Sequence, residues 1–226
     1  PGKGNVLAGT GNVQNLPRPD KRHPHTLGWR EMVRPRSGYI FTVNDFTGLE
    51  LATVAECLVE YVGYSKLADA IRAGKDPHQI MGAQLCSQPL DAFEAAYRGD
   101  LGAEAQAFAE GQRQIAKVPN FGLPGGLGVA RFVDFAWSGY GLRFTEARAS
   151  EIREAWRAAW PEFREYFARA ARMADFGEPV VALRTGRVRG TTKYTEICNT
   201  PFQGLGADVA TSAWFEVMYE AECVES

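Results

Sequence analysis

Helical periodicity is the feature of this sequence that most limits how the chain can fold. Residues 48–62 place Leu49, Val54 and Leu58 on one face of a helix. Another helix begins at Asp76, an N-cap residue that is followed by Pro77 at the first helical position. Helical patterns also cover 64–74, 103–122, 145–176 and 200–223. Pro161 breaks the pattern over 145–176. Most of the chain is therefore expected to be helical.

Strand patterns are fewer and shorter. The run "GYIFTVNDF" (38–46) is rich in β-branched and aromatic residues, which predicts a strand ending near Asp45. Residues 179–194 resemble a hairpin with a Thr-Gly turn. The predicted fold class is therefore α/β of the α+β kind, and rich in helix.

Bulk composition bounds the possible functions only loosely. The chain has 226 residues, of which 45% are hydrophobic, and this is enough to bury a core. Its net charge of −2 does not favour non-specific nucleic-acid binding, although it leaves room for a local basic groove.

Four widely spaced cysteines indicate reduced thiols in a cytosolic setting. No apolar run approaches a membrane span, and the first residue, Pro1, suggests a fragment or a processed product.

Asp45 is the first residue that could carry chemistry. A carboxylate at the end of an apolar strand is well placed to bind a metal ion or to act in catalysis. The alternative is that Asp45 caps the helix that begins near Gly48. Its position alone leaves both readings open.

A second candidate lies on the predicted helix 103–122. Arg113, Lys117 and Phe121 follow one another at intervals of four residues, so they share a helix face. Two cations one turn apart can hold a triphosphate, and a phenyl ring one turn further can stack on a base or sugar. The alternative is a solvated basic edge beside one core aromatic residue.

Two amide-bearing segments complete the candidates. The segment "NVQNLPR" (12–18) could contact a nucleic-acid groove, or it could be an ordinary polar loop. The segment "NTPFQGLGAD" (199–208) opens a predicted helix, where Asn199 or Thr200 could instead serve as the N-cap.

Taken in order, these segments resemble motifs of the DNA polymerase I family, the family A DNA polymerases, and especially its phage-encoded branch. The stretch "DFTGLEL" (45–51) is similar to the first palm motif, and "RQIAKVPNFGLPGG" (113–126) is similar to the nucleotide-binding motif of the fingers. The stretches "NVQNLP", "GKDPHQ" (74–79) and "NTPFQGLGAD" also resemble family segments. The resemblance covers nearly the whole chain.

The resemblance implies a two-metal nucleotidyl transferase. Asp45 and Lys117 would be catalytic residues, and Asp45 with the backbone carbonyl of Phe46 would bind two Mg²⁺ ions, or Mn²⁺. Arg113, Lys117 and His78 would hold the phosphates of the incoming nucleotide. Phe121 would pack on that nucleotide and discriminate at the sugar 3′ position.

The resemblance also implies roles for the remaining candidates. Glu50 would exclude a ribose 2′-hydroxyl, and Gly125 would lie at the base of the nucleotide pocket, where the family usually has a tyrosine. The DNA contacts would come from Gln14, Asn15, Gln203 and Asn199, in the minor groove of the primer–template. Pro119 departs from the motif and is expected to kink its helix.

The implied architecture is a right-hand polymerase without its thumb and its final palm hairpin. The palm would comprise residues 1–56 and 196–226, and a mostly helical fingers domain would comprise 57–195. Its substrates would be dNTPs and primer–template DNA, in the cytoplasm of a phage-infected or bacterial cell. The family's second catalytic aspartate has no counterpart before Ser226, so the isolated chain is expected to be inactive. A missing C-terminal part or a second chain, as in a split polymerase, could supply that aspartate.

Two alternatives belong to different functional classes. One is a helical scaffold protein with accidental motifs, which would bind neither nucleotide nor DNA. A non-catalytic module that binds nucleic acid or nucleotide could have kept a degenerate polymerase fold. Gly125 and Ala52, which stand where the family has a tyrosine and an arginine, favour this alternative. The intact Arg113–Lys117–Phe121 set opposes it. So do Asp45 and Glu50, because a simple binding module has no use for a metal-binding carboxylate beside a sugar gate.

Overall fold

The computed structural model describes residue 28 and residues 32–41, 45–190 and 193–224. The chain divides into two compact units, Pro1–Phe46 and Thr47–Ser226. In the described part of the chain, no helix is both long and apolar enough to cross a membrane.

The first unit has a turn as its main described feature. The Tyr39 amide donates to the Arg36 carbonyl at 3.0 Å, Gly38 has a φ of 82°, and the Arg36 guanidinium lies 4.6 Å from the centre of the Tyr39 ring. The predicted strand over 38–46 is wrong for its described residues, 38–41 and 45–46, which lie outside any strand. A strand needs a partner for its backbone groups, and the pairing in the described residues is confined to the later hairpin.

The second unit is a helical assembly with one small hairpin. Its helices are α1 (Leu49–Val62), α2 (Lys66–Arg72), α3 (Pro77–Leu85), α4 (Leu90–Arg98), α5 (Ala103–Gly122), α6 (Val129–Tyr140), α7 (Glu146–Ala159), α8 (Phe163–Phe176) and α9 (Tyr194–Val224). A 3₁₀ turn, Leu123–Gly125, follows α5. Strands β1 (Val180–Val181) and β2 (Val188–Arg189) pair antiparallel between α8 and α9. The helix-rich α+β fold class is confirmed.

Local signals set several helix ends as predicted. The Asp76 carboxylate accepts the His78 amide at 2.7 Å and caps α3, where Pro77 is the first residue. The Thr145 hydroxyl accepts the Arg148 amide at 3.2 Å and caps α7. The predicted break at Pro161 separates α7 from α8. These ends depend on residues close in sequence, which explains why the sequence predicts them.

Other features differ from the sequence predictions or were absent from them. Helices α4 and α6 were not predicted, although Val129, Phe132 and Val133 have helical spacing in α6. Helix α9 starts at Tyr194, ahead of the predicted start at Thr200, and continues through Pro201. Asn199 therefore lies inside α9 and does not cap it. Helix α5 runs unbroken through Pro119 to Gly122.

The core of the second unit is built mainly from α1, α7, α8 and α9. Trp156 of α7 is fully buried, and its ring centre lies 4.4 Å from that of Phe163 in α8. Tyr166 donates its hydroxyl proton to the Cys198 carbonyl at 2.7 Å, which ties α8 to α9. This core fixes the relative positions of α1 and α9.

The hairpin is attached to α1 and α9 by ion pairs. Arg184 contacts the Glu56 carboxylate at 2.7 Å, and Arg187 pairs with Asp208 of α9. Thr185 also donates to Asp208 at 3.0 Å. The three contacts join the turn of the hairpin to both helices.

Gly82 is required where α3 crosses α4. A Cβ at Gly82 would lie 2.7 Å from Cζ of Phe93, whose ring is fully buried. Overpacking should outweigh the helix propensity gained, so we expect Gly82→Ala to lower the free energy of unfolding by about 1–2 kcal/mol in urea titrations. Gly111→Ala is the matched control, because the space beside Gly111 in α5 is open. It should be neutral or stabilising, and an equal loss in both variants would contradict the packing argument.

Candidate nucleotide and nucleic-acid site

A groove with a volume of about 450 Å³ gathers several of the predicted site residues. Glu50 comes from α1, Phe121 from α5, and Asn199 and Gln203 from α9. The remaining lining residues are Gly122, Leu127, Phe135 and Tyr140. The fold therefore brings together residues that are up to 153 positions apart in the sequence.

The packing of α1 against α9 creates one wall of this groove. Gly206 lies at the contact, where a Cβ would be 3.9 Å from the Thr53 side chain. Close by, the Gln203 amide donates to Oε1 of Glu50 at 3.1 Å. This hydrogen bond fixes the Glu50 carboxylate relative to the amide of Gln203.

Two ionisable side chains in the groove have raised pKa values. Burial raises the pKa of Glu50, and the hydrogen bond from Gln203 partly opposes this rise. Burial also raises the pKa of Tyr140, and the nearby Glu50 charge raises it further. Both shifts disfavour the charged forms of the Glu50 and Tyr140 side chains.

Aromatic residues that the sequence analysis missed form another part of the groove wall. Phe135 and Tyr140 belong to α6, and their ring centres are 5.7 Å apart. The Phe135 ring fills the space beside Gly122, where a Cβ would lie 2.8 Å from two ring carbons. Predicting α6 from its periodicity could have pointed to this wall. The lining of the groove thus combines aromatic rings with amides and a carboxylate.

The predicted phosphate ligands lie on and beside α5. Nε and Nη2 of Arg113 each contact Oδ2 of Asp76 at 2.7 Å. The same guanidinium lies 5.6 Å from the centre of the Tyr97 ring. Lys117 follows one turn later on α5 and is half-buried. Arg113 is therefore held in place, but much of its charge is matched by Asp76.

His78 lies behind Phe121. His78 is only 8% exposed, and the centre of its ring lies 5.1 Å from the centre of the Phe121 ring. Burial lowers the pKa of His78 to about 4, and Arg113 and Lys117 add to the effect while Asp76 opposes it. His78 is therefore neutral at physiological pH and can offer a hydrogen bond but no positive charge.

Asn120 connects this region to the core. Its amide nitrogen donates to the Pro77 carbonyl at 3.0 Å and lies 3.1 Å from Nδ1 of His78. Its carbonyl oxygen accepts the Trp160 indole proton at 3.2 Å. All of these partners are distant in sequence, and the network sets where Phe121 enters the groove.

The remaining predicted residues are placed differently. Asp45 and Phe46 are exposed residues of the first unit, and Asp45 does not cap α1, because its N-cap is Gly48. Gln14 and Asn15 lie outside the described residues. Gly125 is buried behind the groove lining, against Asn199. Across the described ranges, no three His, Cys, Asp or Glu side chains cluster as metal ligands would.

The chain is similar to DNA polymerase I from Aquifex aeolicus (strain VF5). The two sequences are 27% identical over 199 residues, which is 88% of this chain and 30% of that protein. No protein-family model matches the chain. The chain thus spans less than a third of its relative's length, and the similarity supports a relationship to DNA polymerase I at this distance.

Proposed function

We propose that the chain is the palm and fingers portion of a phage-type DNA polymerase of family A and takes part in template-directed DNA synthesis. Its palm would comprise residues 1–56 and 196–226, and its fingers would comprise 57–195. The reaction is transfer of a nucleotide from a dNTP to a primer 3′-hydroxyl during phage DNA replication in a bacterial cytoplasm. The groove carries this proposal, because it unites Glu50, Phe121, Asn199 and Gln203 in one cavity.

The chemistry of the groove suits a deoxynucleotide beside a base pair. The flat ring of Phe121 can pack on a base or sugar, and the amides of Asn199 and Gln203 can hydrogen bond to minor-groove acceptors, which all base pairs share. Glu50 would lie against the sugar and exclude a 2′-hydroxyl.

The phosphates would be held by α5. Lys117 would contact them directly, as a catalytic residue that neutralises charge in the transition state. Arg113 could join only by sharing or leaving its contact with Asp76. His78, neutral and buried behind Phe121, would contribute at most a hydrogen bond.

A divalent metal is part of this proposal. Asp45 and the Phe46 carbonyl would provide two of its ligands, and the ion would lower the pKa of the primer hydroxyl and neutralise the phosphates. The described residues offer no cluster of three ligands. The other carboxylate would be the second catalytic aspartate of the resembling family, supplied by a missing C-terminal part or by a second chain.

Nucleotide selection by Glu50 tests the proposal. The measurement is fluorescence anisotropy of a labelled primer–template duplex with Mg²⁺ and a nucleotide complementary to the next template base. The wild-type chain should bind more tightly with the dNTP than with the matching rNTP, because Glu50 excludes the 2′-hydroxyl. Glu50→Ala should reduce this preference about tenfold, the size of one lost interaction of about 1.4 kcal/mol.

Glu60→Ala is the matched control for that experiment. Glu60 is an exposed residue of the same helix and does not line the groove, so its replacement should leave the preference intact. Equal binding with dNTP and rNTP by the wild-type chain would contradict the proposed function.

The Arg113–Asp76 pair favours one second candidate, a non-catalytic module that binds nucleic acid. A guanidinium already bound by a carboxylate is less available to a triphosphate. Such a module would bind the duplex equally well with Asp45→Asn. A polymerase would instead lose the Mg²⁺-dependent nucleotide effect in that variant.

A further inference from the structure

Gly125, behind the groove, packs against Asn199, which lines it. A Cβ at Gly125 would lie 2.8 Å from both Nδ2 and Oδ1 of Asn199, and 3.1 Å from its Cγ. The Asn199 amide therefore fills the volume that any side chain at position 125 would need. Gly125 itself is buried, whereas Asn199 lines the groove.

We propose that Gly125 is a positioning residue for Asn199. Because position 125 lacks a side chain, the Asn199 amide can lie against its backbone and form part of the groove wall. The groove wall beside position 125 therefore presents an amide. A tyrosine at this position, as in the motif that the sequence resembles, would present a ring instead. Gly125 thus favours a ligand that offers a hydrogen-bonding edge to the Asn199 amide. This inference rests on the proposed binding of primer–template DNA.

The backbone at Gly125 would accept a larger residue. Its φ is not positive, so an alanine fits the local conformation. The clash would involve the end of a short side chain that can rotate, and Gly→Ala also reduces the entropy of the unfolded chain. Gly125→Ala should thus move the Asn199 amide without destabilising the fold, which separates positioning from a merely structural role.

Affinity for DNA is the first readout. The probe is a fluorescein-labelled primer–template duplex with its complementary dNTP, measured by anisotropy. Gly125→Ala and Asn199→Ala should each weaken binding roughly three- to tenfold, the loss of one hydrogen bond. The double variant should bind as Asn199→Ala does, because both changes remove the same contact. Gly111→Ala, in open space on α5, should bind as the wild type does.

The second readout needs no ligand. In ¹H–¹⁵N NMR spectra, the side-chain amide signal of Asn199 is identified by its loss in Asn199→Ala. It should shift in Gly125→Ala and stay in place in Gly111→Ala. The melting temperature of Gly125→Ala should not fall below that of the wild type.

Three results would overturn the assignment: an unshifted amide signal, additive losses of affinity, or a lower melting temperature in Gly125→Ala. If the wild-type chain binds no DNA, the proposed function fails. The NMR comparison still decides whether Gly125 positions Asn199, so the two failures can be told apart.

Discussion

Trp156→Ala is expected to lower the free energy of unfolding by about 3–5 kcal/mol, the usual range for a buried aromatic residue. The Trp156 side chain is only 1% exposed, and it contacts Phe163 and Phe167 at ring-centre distances of 4.4 and 6.3 Å. Removing it leaves a cavity between α7 and α8 that the neighbouring rings cannot fill without moving. Urea titration followed by circular dichroism measures the loss.

Trp214→Ala is the matched control for this prediction. Trp214 lies on α9 and is 63% exposed, so its removal should change stability by no more than about 0.5 kcal/mol. A similar loss in both variants would mean that Trp156 does not belong to the core.

Stability should fall by about 3 kcal/mol as the pH drops from near 7 towards 4, because of His78. Burial lowers its pKa to about 4, below the ordinary value of 6.5. As the pH falls, the unfolded chain therefore binds this proton before the folded chain does. The stability is complete above pH 6.5 and is lost progressively down to the folded pKa.

The difference in unfolding free energy between wild type and His78→Gln isolates this effect from the carboxylates. Its slope should approach about 1.4 kcal/mol per pH unit between pH 6 and 4.5. The chain's other histidines, His23 and His25, provide the control, since replacing both with Gln should leave the slope of His78 in place. The prediction would be contradicted if the wild type and His78→Gln lost equal stability over this pH range. His78 would then have the same pKa in the folded and unfolded chains.

The sequence predicted the helices whose ends depend on nearby residues. The caps at Asp76 and Thr145 and the break at Pro161 act within one turn, so their effect needs no tertiary information. The strand over 38–46 depends instead on a partner strand, and its described residues lie outside any strand. Pro119 and Pro201 lie inside helices, although proline usually ends or kinks a helix. Here the tertiary structure overrides the local signal.

The candidate site also contains residues that the sequence identified and residues that it missed. Motif order identified Glu50, Phe121, Asn199 and Gln203 as site residues, and these line one groove. Phe135 and Tyr140 were missed, since they belong to a helix that was not predicted.

By itself, the sequence determined most of the helical segments, though not α4 and α6, and which residue types could bind a nucleotide, because caps, periodicity and side-chain chemistry are local properties. Only the tertiary structure decided that Glu50 meets Gln203, that Asp76 holds Arg113, and that His78 is buried and neutral. These outcomes depend on distance and burial between groups far apart in the chain. Such quantities exist only once the helices have packed.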